Sequence, residues 1–355
     1  MELDLRKQRI LRAIVIDYVA TAEPVGSHVL VERYSLGVKS ATIRNEMAEM
    51  SERGFLRQPH TSAGRVPSDQ GYRFYVNRLM PLPVVQDGEV RQIRRAVASA
   101  SSELDAILRQ TCRLLAEMTS LPAVATSPDS DDTELRQIFV AAAGTDKALL
   151  ALLFSTGRTE NRLISDLRLT ASDALYLANA LNERFVSKSL AELSVLAQTN
   201  GRSDEGPPPE LIRFGRVWQR IVHEIAGAAI NLRSEVPVFI EGTQAALNLP
   251  EFRDVERLGQ FLSLIQERAA LLEMLETAVT SSTAPAVQVV IGEESGRPAM
   301  SEYSLVSASY YIGTRERGSI GVLGPTRMDY ARASAAVELM AKTMTEILTR
   351  LSITP

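Results

Sequence analysis

Arg44 and Asn45 are adjacent side chains of the two types that pair bidentately with guanine and adenine edges in a major groove. They stand in the run Ser40-Ala-Thr-Ile-Arg-Asn-Glu-Met, whose small residues Ala41, Thr42 and Ala48 would let a helix seat deeply. Ile43, Met47 and Met50 follow at i, i+4 and i+7, so they fall on the opposite, inner face. The pattern also fits a plain alternative, a solvated helix face in an ordinary three-helix bundle. A second cluster lies just downstream. Arg57 precedes Pro59-His60-Thr61-Ser62-Ala63-Gly64-Arg65-Val66-Pro67, a loop of small hydroxyl residues with one arginine. There Thr61 and Ser62 could donate to phosphate, and Arg65 could touch phosphate or the minor groove. Gly64 is read as a position needing a positive φ, and His60 as a polar loop residue.

The elements around these residues form a consistent frame. Asp4 is a plausible N-cap for a helix whose apolar face is Ile10, Leu11, Ile14, Val15 and Tyr18, with Arg9, Arg12 and Asp17 mostly outside it. Glu23-Pro-Val-Gly ends that helix. Ser27 is read as the cap of a second, short helix, Gly37 as the tight turn and Ser40 as the cap of a third, Ala41 to Arg53. Two helices joined in this way make a helix-turn-helix. The loop from 59 to 67 would be its wing. Ser68 caps a fourth helix with Tyr72, Tyr75, Val76 and Leu79 as a core stripe.

Charge places the same weight on this end. The chain has 355 residues and a net charge of −4, but residues 1–80 hold 12 Lys and Arg against 9 Asp and Glu. A small basic unit is joined to a larger acidic remainder, and nucleic acid belongs with the basic one. Other classes are excluded or demoted. One cysteine, Cys112, allows no disulfide framework and no thiolate metal site. His28, His60 and His223 show no metal-ligand spacing, so no metal and no cofactor is expected. The glycines at 318, 321 and 324 lack dinucleotide-loop spacing and read as turn and packing residues. Glu293 and Glu294 read as surface charges after a strand. No catalytic constellation is found. Apolar runs such as Ala148 to Phe154 are too short to cross a bilayer, so the chain is expected to be cytoplasmic, without a membrane partner.

Several runs resemble the HrcA family of bacterial heat-inducible transcription repressors. These are Glu23-Pro-Val-Gly-Ser, Ser40-Ala-Thr-Ile-Arg-Asn-Glu-Met-Ala-Glu-Met, the loop from Gln58 to Pro67 and Gly71-Tyr-Arg-Phe-Tyr-Val. In the C-terminal half they are Asn248-Leu-Pro-Glu-Phe-Arg-Asp, Ile291-Gly-Glu-Glu and Gly324-Pro-Thr-Arg-Met-Asp-Tyr. The resemblance implies an inverted-repeat operator upstream of chaperone genes and release on heat shock. It also implies a homodimer and a GroE chaperonin that helps the repressor reach its active fold.

The expected architecture is a multidomain α+β chain. Residues 1–80 are the winged helix-turn-helix, and 81–88 a linker signalled by Pro81-Leu82-Pro83 and Asp87-Gly88. A long helical stretch, Glu89 to Thr119, precedes a strand at Ala123 to Thr126. A three-strand meander follows (Gln137 to Ala142, Ala148 to Phe154, Asn161 to Leu167), then helices at 172–186, 189–198 and 210–232. The end of the chain reads as a strand from Val236, a helix at 253–277, three strands and a last helix. That order resembles a GAF domain, and the resemblance to HrcA implies a GAF-like domain, 89–131 and 234–355, interrupted by an inserted dimerisation domain at 132–233. An alternative places the meander in the GAF-like sheet and starts the insertion near residue 168. A second functional reading is a transcription regulator gated by a small molecule in the GAF-like domain. Polar residues converging in an apolar pocket favour it, and a packed core does not.

Overall fold

The structure is a computed structural model. It describes residues 3–60, 63–81, 87–98, 104–128, 133–198, 207–234, 237–277, 287–313 and 316–353. The N-terminal unit begins with α1 (Leu5–Thr21), capped by Asp4, whose carboxylate accepts from Lys7 N. Its face of Ile10, Leu11, Ile14 and Val15 is buried. Asp17 is buried too, held by Arg33 at 2.7 Å, so it is not outside the apolar face. Helices α2 (Ser27–Arg33) and α3 (Ser40–Glu52) follow, joined through Gly37, whose φ is +71°. Ser27 and Ser40 do not cap them. Each is the first helical residue, and their hydroxyls bond to each other at 2.9 Å. Strands β1 (Leu56–Arg57) and β2 (Val66–Pro67) form an antiparallel hairpin. Helix α4 (Asp69–Phe74), capped by Ser68, runs on as a π-helical turn, Tyr75–Leu79.

Helices α5 (Asp87–Ala98) and α6 (Leu104–Thr119) come next. Asp87 and Gly88 thus open a helix and are not a linker, whereas residues 82–86 lie outside the described residues. Strand β3 (Ala123–Thr126) then leads into a separate unit. There β4 (Leu135–Ala142), β5 (Lys147–Phe154) and β6 (Thr159–Ser165) make a three-stranded antiparallel meander. Helices α7 (Ala171–Phe185), α8 (Leu190–Gln198) and α9 (Gly215–Ser234) cover one face of it. The strands alternate as a half-covered sheet must. Ala148, Leu150, Leu152 and Phe154 are buried against Leu177, Leu181, Phe185, Trp218 and Ile221. Asn182 clips α7 to β4, accepting from Ile138 N at 2.8 Å and donating to Ile138 O at 2.7 Å.

The chain returns through β7 (Val238–Glu241), α10 (Thr243–Ala246), α11 (Val255–Gln266) and α12 (Arg268–Thr277). Helix α11 stops at Glu267, so the single helix expected at 253–277 is two. Strands β8 (Gln288–Ile291), β9 (Tyr303–Ile312) and β10 (Glu316–Pro325) and helix α13 (Tyr330–Ile353) complete the body. Its sheet is antiparallel throughout, in the order β7-β3-β10-β9-β8. Val306, Ala308, Tyr310 and Val322 face α6 and α13. Leu305 and Leu323 face Phe261 and Leu264 of α11 on the other side. Gly318 lies in β10 under the Tyr310 ring, where a Cβ would collide. Close packing accounts for that glycine. The meander is not part of this sheet.

Candidate nucleic-acid interface

Helix α3 exists because its inner residues are apolar at helical spacing. Ile43, Met47 and Met50 are buried among Ile10, Ile14 and Leu30. That burial turns the opposite face outward. Ala41, Arg44 and Asn45 are exposed, and Ser40 and Thr42 are half-buried at the helix start. Among the described residues, neither Arg44 nor Asn45 has a hydrogen-bond or ion-pair partner. Two of the three acidic residues of the same helix, Glu46 and Glu49, are engaged, and the third, Glu52, is exposed in the last turn. Lys7 of α1, only 8% exposed, holds Glu46 at 2.9 Å and Glu49 at 3.1 Å, and Arg6 reaches Glu46 at 3.2 Å. These carboxylates hold the Lys7 ammonium well above its ordinary range, after the larger effect of Asp4. The helix therefore presents a free guanidinium and a free amide while the carboxylates of Glu46 and Glu49 are neutralised from behind.

The hairpin is fastened to the same unit. Arg65 N donates to Val25 O and Val25 N to Arg65 O, both at 2.9 Å, so the segment before α2 adds a bridge beside β2. Gly64 sits at this crossing. Its φ is not in the left-handed region, which corrects the expectation of a positive φ. The reason for glycine is space: a Cβ would lie 2.8 Å from Pro24 C and closer still to the Val25 carbonyl. Arg65 is half-buried, and its Nε donates to Ser51 Oγ at 2.9 Å, tying the hairpin to the end of α3. His60 is exposed. Thr61 and Ser62 lie outside the described residues.

Arg57 is exposed at the base of the hairpin and lines a cleft of about 470 Å³ between the N-terminal unit and the body. Asp69, Glu251, Glu293, Arg257 and Arg327 line the same cleft. Sequence reasoning missed this seam. Glu294 is not a bare surface charge but forms a two-pronged pair with Arg73, which lies 221 positions earlier. Glu293 and Glu294 follow strand β8, as expected, and sit in a 3-10 turn, 292–295. Tyr72 is buried, as its stripe predicts, but its ring packs on Tyr330 of the body, 5.5 Å between centroids. Among the described residues there is no group of His, Cys, Asp and Glu fit to hold a metal ion, and no helix is long and apolar enough to cross a membrane.

Comparison with known proteins accords with this geometry. Residues 105–333 match the family model for the HrcA protein C terminal domain. The chain is 36% identical over 353 residues to the heat-inducible transcription repressor HrcA of Moorella thermoacetica, spanning 99% of each. It is 35% identical over 352 residues to the repressor of the same name from Acetivibrio thermocellus, spanning 99% of this chain and 98% of that one. A solved structure described only as a hypothetical protein superposes with a TM-score of 0.64 at 22% identity, over 99% of this chain and 100% of its own, which shows a shared fold. The runs that carry the resemblance lie both in the exposed-face helix and in the body, and the relatives match from end to end: this chain belongs to the HrcA family of heat-inducible transcription repressors.

Proposed function

We propose that the chain represses heat-shock operons by binding an inverted-repeat operator as a homodimer, with α2 and α3 as the helix-turn-helix and the β1–β2 hairpin as its wing. The observation that carries this reading is the outward face of α3. Arg44 and Asn45 are free there, while Glu46 and Glu49 are tied back to Lys7. Arg44 and Asn45 read base edges, and Ser40, Ala41 and Thr42 lie at the helix start, where a groove is entered. Arg65, Gly64 and His60 shape the wing. Protection of an inverted repeat upstream of chaperone genes by the purified protein is the direct test. Arg44→Ala and Asn45→Ala should each cost about 1–3 kcal/mol of specific binding and relax selectivity at one base pair. Wild-type operator affinity in both variants would remove α3 from this role.

The dimer is assigned to the middle unit, residues 132–233, inserted into a GAF-like body. The outer face of the meander supports it. Phe139, Leu149 and Leu163 are 54%, 40% and 59% exposed, and register places Ala141, Leu149 and Leu163 in one row across the three strands. A second copy of the same face is the occupant, since a twofold axis makes the patch self-complementary. The packed body supports plain repression over gating by a small molecule. Tyr310 lies buried within it, donating to Thr126 O at 2.6 Å. The chaperonin dependence implied by family resemblance is tested by refolding with and without GroE. Equal recovery of operator binding would rule it out, as would recovery unaffected by competing unfolded protein.

A further inference from the structure

Four of the runs that carry the family resemblance have no part in the exposed face of α3. They meet instead at the seam between the N-terminal unit and the body. Tyr72 and Arg73 come from α4, Glu251 from the turn before α11, Gly292 to Glu294 from the turn after β8, and Arg327 and Tyr330 from the approach to α13. The seam is closed by one guanidinium from each side. Arg73, from the N-terminal unit, donates Nε to Glu294 Oε1 at 2.7 Å and Nη2 to both Glu294 Oε2 and Val289 O, the last at 2.5 Å. Arg327, from the body, donates Nε and Nη2 to the two oxygens of Glu251, the second at 3.0 Å, and Nη1 to Val19 O. Val19 lies in the last turn of α1, which has no basic residue of its own there. Arg327 thus supplies, from another unit, the cation that the carbonyl end of a helix favours. Between the two forks, Glu293 N donates to Asp69 Oδ2 at 3.1 Å, and a Cβ at Gly292 would strike the same carboxylate.

We infer that Arg73 and Arg327 are positioning residues that fix the direction in which α3 faces from the body, and so select the spacing between the two half-sites of the operator. This rests on the dimeric, inverted-repeat reading above. A two-pronged guanidinium pair is directional, and a third bond to a backbone carbonyl removes the remaining rotation. Glu251 lies on the same side of the seam as Arg327, so that pair aims the guanidinium at Val19 O across it; with side chains 10% and 20% exposed, it is screened less than a surface pair. A tethered reading head would accept many spacings. A clamped one accepts few, because each added base pair shifts a half-site by roughly 3.4 Å and turns it by roughly 35°.

Two measurements on the full-length dimer test this. The first is the distance distribution between spin labels at Ala48→Cys on α3 and Gln260→Cys on α11, both exposed. The second is affinity for a series of inverted repeats that differ by single base pairs in spacing, beside a single half-site. With labelled chain diluted into excess unlabelled chain, the unaltered seam should give one narrow distance, and wild-type chain should show one preferred spacing. Arg73→Gln with Arg327→Gln should broaden the distance and lower the preference for the best spacing by roughly tenfold, with half-site affinity held within about twofold. Glu294→Gln with Glu251→Gln, which leaves both arginines their carbonyl partners, should do the same to a smaller degree and guards against misfolding of the first pair. A narrow, unshifted distance in both pairs would overturn the clamp. A broadened distance with a spacing profile as sharp as wild type would overturn its role in operator choice. If wild-type chain failed to prefer any inverted repeat over a half-site, the dimeric reading would fall with its spacing corollary, while the label distances would still decide the clamp.

Discussion

Replacing Gly64 by alanine tests how the hairpin is fastened to the reading helix. The added methyl would fall within contact distance of the Val25 carbonyl and 2.8 Å from Pro24 C, all backbone atoms. No rotamer can relieve that. The segments must separate, and what joins them is the pair of 2.9 Å hydrogen bonds between Val25 and Arg65. At about 1 kcal/mol net each, their loss costs about 2 kcal/mol. Exchange of the Val25 and Arg65 amides with solvent deuterium should then quicken roughly 30-fold. Operator affinity should fall as the hairpin drifts from α3. Gly37 is the control. A Cβ there meets nothing, but φ is +71°, so alanine costs about 1–2 kcal/mol through backbone strain alone. Asparagine tolerates that conformation and should recover part of the loss at Gly37, whereas at Gly64 it should be no better than alanine. Unchanged amide exchange and operator affinity in Gly64→Ala would refute the close-approach argument. A rescue by asparagine at Gly64 would refute it as well.

Leu163→Ser should loosen the proposed dimer. About 1.5 kcal/mol of apolar burial is lost from each copy, and the twofold axis counts it twice, so the dissociation constant in sedimentation should rise roughly 100-fold; an unaltered constant would move dimerisation elsewhere. Cys112 is fully buried in α6, and burial pushes its thiol far above the usual range. It should therefore react with a disulfide reagent at mildly alkaline pH only as fast as the chain unfolds, and prompt labelling of the native chain would contradict this packing. Asp4 is held down to about 2 by the Lys7 ammonium and the Lys7 amide. A depressed carboxyl stabilises above its unfolded value and loses that contribution as pH falls through its folded one, so the acid melt of the N-terminal unit should lose a component between about pH 4 and 2 in Asp4→Asn. Identical acid profiles for the two proteins would show that the pair contributes nothing.

What could be read from the residues was local. Alternation and turn signals located the meander to within two residues at each strand end, because each strand has one wet and one dry face. The inner face of α3 and the caps Asp4 and Ser68 follow from nearest-neighbour geometry. Ser27 and Ser40 show the limit. A serine at a helix start looks the same whether it caps or begins the helix, and only their mutual hydrogen bond settles it. A lone carboxylate belongs in water, which puts Asp17 outside the apolar face on sequence alone, but Arg33 lies 16 positions later and offsets its burial. The seam was least legible. Glu294 and Arg73 are 221 positions apart and Arg327 and Val19 are 308 apart, so no spacing pattern links them. The one available signal was that these residues sit in runs resembling a family yet carry no evident chemistry.

Strand β3 occupies the second place in the body's sheet, between β7 and β10. In the order of synthesis its neighbours arrive late. Ala125 pairs with Phe239 on one side and Ile320 on the other. At roughly 5–20 residues per second, β3 leaves the ribosome roughly 10–40 s before β10 is made. The middle unit pairs only consecutive strands and can close during that interval, because its sheet and helices are contiguous in the chain. The body cannot. Its first helices and β3 must keep an apolar surface open while more than half of the remaining chain is made. A folding route with so much long-range closure left to the end is slow and prone to association. Until β10 is made, association between nascent chains competes with closure of this sheet, whatever the stability of the finished fold.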